Sequence, residues 1–231
     1  MRVLAVVHHR NAAAGVFAEP ALAAGHELVE WLPQDEPAPP AAGFDAAMVF
    51  GGSMNVDEEE AHPWLRDEKR FARELIDRGT PVLGICLGSQ LVADAAGGVV
   101  RRAAEPEIGW YDVTLTAEGE ADELLGVLPR SFESFQFHYY EWLLPPGGIA
   151  LARSALALQA FRLGERPVWG LQFHPEVMEQ DLYAWLDDHE VVDPEAIRTE
   201  SAGKIGAWND AGRALSERFL ELSRAASHTP T

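Results

Sequence analysis

The feature that most constrains this chain is the order of its first hundred residues: short apolar runs of strand character alternate with segments of helical period. Residues 2–7 are apolar and rich in β-branched side chains, with little alternation, the mark of a strand buried on both faces. His26–Trp31, Ala46–Phe50 and Pro81–Cys86 repeat that texture. Between them lie a small-residue helix around 15–24 that ends at Gly25, and a second helix opened by Pro63 and running to Arg78. The second places Leu65, Phe71, Ala72, Leu75 and Ile76 on one face and is capped by Gly79. Leu87–Ala96 reads as a third helix, closed by Gly97-Gly98, while Pro33, Pro37, Pro39 and Pro40 make 33–43 a loop. A β-α-β-α order of this kind predicts an α/β domain with a central mixed, mostly parallel sheet flanked by helices.

From residue 108 the texture changes to strands joined by short turns: Ile108–Thr116, Ser134–Trp142, Ile149–Arg153, Leu158–Leu163 and Val168–Phe173. Beyond Val177 the pattern is helical, so the expectation is one domain over 1–231, with a core of about 1–178 and C-terminal helices over about 179–226. Ser227–Thr231 is expected to fray. No run approaches the roughly 20 apolar residues of a membrane helix, and the first strand follows Met1 without a separate signal-peptide core. A lone cysteine excludes an internal disulfide framework and suits a reducing cytoplasm. The net charge of −19, from 37 acidic against 18 basic residues, opposes nucleic-acid and anionic-membrane partners.

Three motifs carry chemistry. Gly84-Ile85-Cys86-Leu87-Gly88 stands where a buried strand meets a helix, a sharp joint that pushes a nucleophile out of the sheet. Flanking glycines remove the Cβ atoms that would block it, and the helix N-terminus favours a thiolate. Gly170-Leu171-Gln172-Phe173-His174-Pro175-Glu176 offers an imidazole as base and a carboxylate two residues on to orient it. Val49-Phe50-Gly51-Gly52-Ser53-Met54 ends a strand in paired glycines, where a backbone N–H can turn toward a developing oxyanion, with the N–H of Leu87 as its partner. His138 lies in an aromatic strand and is assigned a structural or substrate-side role. His8-His9 and His62 lack ligand spacing, so no metal site is proposed. Asp57-Glu58-Glu59-Glu60 reads as a solvated run, and Trp185, Trp208 and Phe219 as packing anchors.

Together these motifs resemble the class I glutamine amidotransferase family, the triad type with a cysteine nucleophile and a flavodoxin-like fold. The likeness covers roughly residues 44–178 and is nearest to stand-alone proteins similar to the amidotransferase domain of GMP synthase. Cys86-Leu87-Gly88-Ser89-Gln90-Leu91 and Glu107-Ile108-Gly109-Trp110 support that branch. The resemblance implies Cys86, His174 and Glu176 as the catalytic triad and Gly52 and Leu87 as the oxyanion hole. It implies Gln90, Met54, Phe137, Tyr139 and Tyr140 as substrate-binding residues, and requires no cofactor. Its substrate is a small molecule, glutamine or a γ-glutamyl compound, and its ammonia goes to a separate synthase subunit, since the chain has no room for an acceptor domain. Tyr139-Tyr140 replaces the Gly-Asp of many relatives, and Ser53 and Asn55 replace residues that are often proline and serine. Three readings stay open: an ammonia-releasing component of a synthase, a stand-alone γ-glutamyl hydrolase or peptidase, and a binding or regulatory module that retains the fold.

Overall fold

The computed structural model describes residues 1–9, 14–36, 40 and 43–227. Parts of the expected 33–43 loop (37–39 and 41–42) and of the frayed tail (228–231) lie outside them. One nine-stranded sheet runs through the molecule in the order β2-β1-β3-β4-β9-β8-β7-β5-β6. The strands are β1 Arg2–Val6, β2 Glu27–Trp31, β3 Ala46–Val49, β4 Val82–Ile85, β5 Val100–Leu115, β6 Ser131–Trp142, β7 Gly148–Arg153, β8 Leu158–Leu163 and β9 Val168–Leu171. The helices are α1 Ala18–Ala23, α2 Trp64–Arg78, α3 Leu87–Ala95, α4 Ala117–Glu120, α5 Glu179–Asp188 and α6 Pro194–Ser227.

Pairings β2–β1, β1–β3, β3–β4 and β4–β9 are parallel. Those from β9 to β8, β7, β5 and β6 are antiparallel. The sheet is therefore mixed, as expected, with four parallel and four antiparallel pairings. β5 is longer than expected and starts eight residues before Ile108. Its register breaks between Arg102 and Glu107, around Pro106. A proline cannot donate to a ladder and reads as a strand end, but a bulge lets the strand continue past it.

Successive residues of β1 face opposite cores, as a doubly covered strand requires. Val3 and Ala5 join Met48, Leu83, Phe17, Leu215 and Phe219 on the α1/α6 side. Leu4 and Val6 join Val49, Leu65, Phe71, Leu75 and Leu91 on the α2/α3 side. Burying a side chain such as Leu4 or Phe219 is worth about 1.5–3 kcal/mol, so this two-sided core holds the strand ends in place. α3 lies so close to β3 that a Cβ on Gly88 would sit 1.9 Å from the Val49 carbonyl oxygen. Only glycine permits that approach, and it sets the start of α3 beside the carboxyl end of β3. The carboxyl ends of β3, β4 and β9 thus converge at one edge, where open α/β sheets place their sites.

Candidate active site

Cys86 bridges β4 and α3. Its N–H donates to Leu171 O (2.8 Å), which keeps it on the sheet, while its carbonyl already accepts from Gln90 N (3.0 Å) inside the helix. To serve both elements its backbone takes φ 50° and ψ −111°. That conformation is strained for a residue with a Cβ, and such strain concentrates at functional sites. The thiol is largely buried, with Sγ 3.8 Å from Phe137 O.

His174 reaches the same point from the neighbouring strand. β9 pairs with β4, and three residues past its end the His174 N–H donates to Phe135 O (3.0 Å). Its carbonyl accepts from Trp208 Nε1 (2.8 Å), so α6 fixes the turn from behind. Nδ1 donates to Glu176 Oε1 at 2.8 Å, both side chains being buried. With Nδ1 occupied, Nε2 is the nitrogen left for chemistry, and among the described residues it has no hydrogen-bond partner. Burial opposes the charged ring, but Glu176 and then Cys86 favour it more, and the imidazole is pushed up to about 10. The interaction between His174 and Cys86 closes the 88-residue gap in the chain that only tertiary structure could bridge.

Gly51 sits between the two groups: a Cβ there would lie 2.9 Å from His174 Cε1 and 3.6 Å from Cys86 Cβ. A side chain at Gly51 would wedge the imidazole and the thiol apart. The loop that carries it is held from below by His8, whose Nδ1 donates to Gly51 O (3.1 Å) and whose Nε2 donates to Glu68 Oε1 (2.9 Å). His8 is fully buried and stacks on Trp64. Burial opposes its charged form, but Glu68 and the Gly51 carbonyl outweigh that and raise its pKa.

A cavity of about 260 Å³ opens beside the thiol. Gly52, Met54, Cys86, Leu87, Gln90, Phe137, Tyr139 and Tyr140, all expected at the site, line it together with Arg102. Gln90 Nε2 donates to Tyr140 O (3.4 Å). His138 does not face the thiol as a base: Nδ1 donates to Tyr140 O (3.0 Å) and Nε2 lies 3.1 Å from Glu107 Oε2, in a buried cluster with Gln159. The acidic run before α2 is less free than a solvated stretch. Asp57 accepts from Tyr140 OH, Glu58 accepts from the Asn55 backbone N–H, and Glu59 pairs with Lys69. Trp208 and Phe219 are buried packing anchors, but Trp185 packs edge-on against the His174 ring, centroids 4.8 Å apart, and so belongs to the cleft wall. Among the described residues no group of three or more His, Cys, Asp or Glu side chains has the arrangement of a metal site.

A cysteine just past the end of β4 thus lies beside an imidazole just past the end of the adjoining β9. The family model for glutamine amidotransferase class-I matches residues 22–188. The chain belongs to the class I glutamine amidotransferase family. As a member of it, the chain is 36% identical over 151 residues to a glutamine-hydrolyzing GMP synthase subunit of Saccharolobus solfataricus, covering 64% of this chain and 76% of that one. It is 31% identical over 220 residues to YfeJ, a glutamine amidotransferase-like protein of Salmonella typhimurium, covering 90% and 91%. A γ-glutamyl-L-1-hydroxyisopropylamide hydrolase of a Pseudomonas species is 28% identical over 195 residues, covering 78% and 65%. The crystal structure of a glutamine amidotransferase from Thermotoga maritima superposes with a TM-score of 0.85 at 26% identity, covering 96% of this chain and 98% of that one. This amidotransferase therefore has the single α/β domain and curled mixed sheet of its family. No helix among the described residues is long and apolar enough to cross a membrane.

Local sequence pattern misses four contributors. His8 and Glu68 are 60 residues apart, and nothing in their surroundings along the chain links them. Trp185 follows a helical period that packing alone would explain. Arg102 sits in a stretch of β5 whose sequence is indistinguishable from ordinary surface.

Proposed function

We propose that this amidotransferase cleaves the γ-amide of glutamine or of a γ-glutamyl compound through a Cys86 thioester, with His174 and Glu176 completing the triad. The observation that carries the reading is the pairing of His174 with Glu176 through Nδ1, which leaves Nε2 on the Cys86 side of the ring. The Cys86 sulfur attacks the amide carbon, and the oxygen's developing charge is met by the N–H groups of Gly52 and Leu87. Each such donor is worth about 3–4 kcal/mol in the transition state. His174 passes its proton to the leaving nitrogen, the C–N bond breaks, and the amine departs. His174 then takes a proton from water as it attacks the thioester, which releases glutamate and restores the thiol. Gln90, Met54, Phe137, Tyr139 and Tyr140 hold the glutamyl part in the cavity beside the sulfur.

Two uses of this chemistry have support. Archaeal relatives are named as subunits of GMP synthase, which favours ammonia release for a separate synthase subunit. The Pseudomonas relative is named as a γ-glutamyl amide hydrolase, which favours action on small γ-glutamyl amides. Purified protein should release ammonia from glutamine or amine from a γ-glutamyl amide, and Cys86→Ser should abolish it. A glutamine-mimicking diazo-ketone should label Cys86 stoichiometrically; an unlabelled thiol together with no turnover would leave the binding-module reading in possession.

A further inference from the structure

The cleft has two chambers, and the chemistry above uses only one. The chamber beside the sulfur holds Cys86 and Gln90. A second, of about 240 Å³, lies on the His174 side and is lined by His174, Trp185, Asp188, His189 and His9, but not by Cys86. Gly52, Ser53, Phe137 and His189 border both. The leaving nitrogen takes its proton from His174 Nε2, so it must sit at the threshold between the two. Ammonia has no further atoms to place. The second chamber is several times the roughly 30 Å³ a water-sized molecule occupies.

We propose that this second chamber is a leaving-group subsite for the amine half of a γ-glutamyl amide. The inference rests on the thioester reading and deepens it. The favoured amine is a short alkylamine with a hydrogen-bond donor, a hydroxyl or an ammonium, at its far end. Trp185 and Phe137 present apolar walls to the alkyl stem. Asp188 ends α5 at the chamber rim, and among the described residues its carboxylate makes no ion pair, unlike its neighbour Asp187, which pairs with Arg198. A carboxylate only accepts hydrogen bonds, so it selects a donor and repels an acid. Atoms balance without another reactant: the S–C bond forms, the C–N bond breaks, the amine leaves with the His174 proton, and water completes hydrolysis.

The test compares kcat/KM for glutamine and for the γ-glutamyl amides of ethylamine, ethanolamine, ethylenediamine and glycine. The ethanolamine and ethylenediamine amides should exceed glutamine by about tenfold or more, the scale on which a filled pocket discriminates. The glycine amide should fall about fivefold below the ethylamide. In Asp188→Asn the ratio of the ethylenediamine amide to the ethylamide should drop about fivefold; because it is a ratio, any general loss of activity cancels. An unchanged ratio overturns the subsite. So does glutamine outpacing every substituted amide tenfold, which would mark the chamber as an exit for ammonia. Both outcomes leave the thioester reading standing. Absence of both turnover and diazo-ketone labelling of Cys86 would instead sink the thioester reading, and the subsite with it.

Discussion

Two buried imidazole–carboxylate pairs flank Gly51, one on each side. His174–Glu176 and His8–Glu68 have nearly the same spacing, 2.8 and 2.9 Å, and both rings are held above the ordinary histidine pKa. They differ at the other nitrogen. His8 spends Nδ1 on the Gly51 carbonyl, whereas His174 keeps Nε2 free of hydrogen-bond partners among the described residues, on the side of a thiol. A carboxylate partner alone does not make a base. In the mechanism proposed above a second nitrogen turned to the reacting group does, and the pair with both nitrogens occupied is a strut for the Gly51 loop.

The sharpest way to break this contrast is to remove each imidazole's function in turn. His174→Gln should lower turnover by about 10⁴-fold or more, since removing a triad member typically costs that much, and should also cost stability because it leaves Glu176 buried without its partner. Glu68→Gln should show the stability loss with only a small loss of turnover. Breaking a buried ion pair costs about 3–5 kcal/mol, visible in urea unfolding, while turnover falls only about tenfold as the Gly51 loop loosens. The sign of its pH dependence follows from the raised His8 pKa. The stabilising pair is fully formed below about pH 6.5, the unfolded value, and its contribution is lost as pH climbs through the folded value above it. The advantage of the native chain over Glu68→Gln should therefore be greatest in mild acid and narrow in alkali. A strut indifferent to pH, or a Glu68→Gln variant as inactive as His174→Gln, would erase the distinction.

A finer measurement is the titration of the His174 ring by NMR. With burial opposing and Glu176 and Cys86 favouring its charge, the ring should show no inflection near 6.5 and titrate only toward about 10. Removing a favouring anion lowers a cation's pKa, so Glu176→Gln and Cys86→Ala should each draw the inflection back down. His8 should hardly move in either variant.

How much of this is legible in the sequence depends on distance along the chain. The strand–helix joint is legible because Gly84, Cys86 and Gly88 impose a local geometry, and Glu176 because two residues and a proline suffice to bring it to His174. β1, β3 and β4 are legible because strands buried on both faces leave an unbroken apolar run. The 16-residue β5 reads too short because Pro106 looks like a terminator when its bulge is unseen. The 34-residue α6 shows only as scattered helical patches, its small and polar face being set by packing on α1 rather than by a clean period. His8–Glu68, Trp185 and Asp188 are invisible as a site because each depends on helices docking at the sheet edge, a long-range event with no local signature.

The unusual backbone of Cys86 carries a consequence for evolvability. The torsion that aims the sulfur is uncomfortable for any L-residue with a side chain, at about 1–3 kcal/mol, and glycine would relax it. Cys86→Gly should therefore lose less stability than truncation of an equally buried side chain elsewhere, because relief of the torsion offsets the lost packing and glycine's extra unfolded-state entropy, and should release no ammonia. Selection for robustness alone has little hold on this position, so under the thioester reading proposed above it is reactivity that keeps a sulfur there.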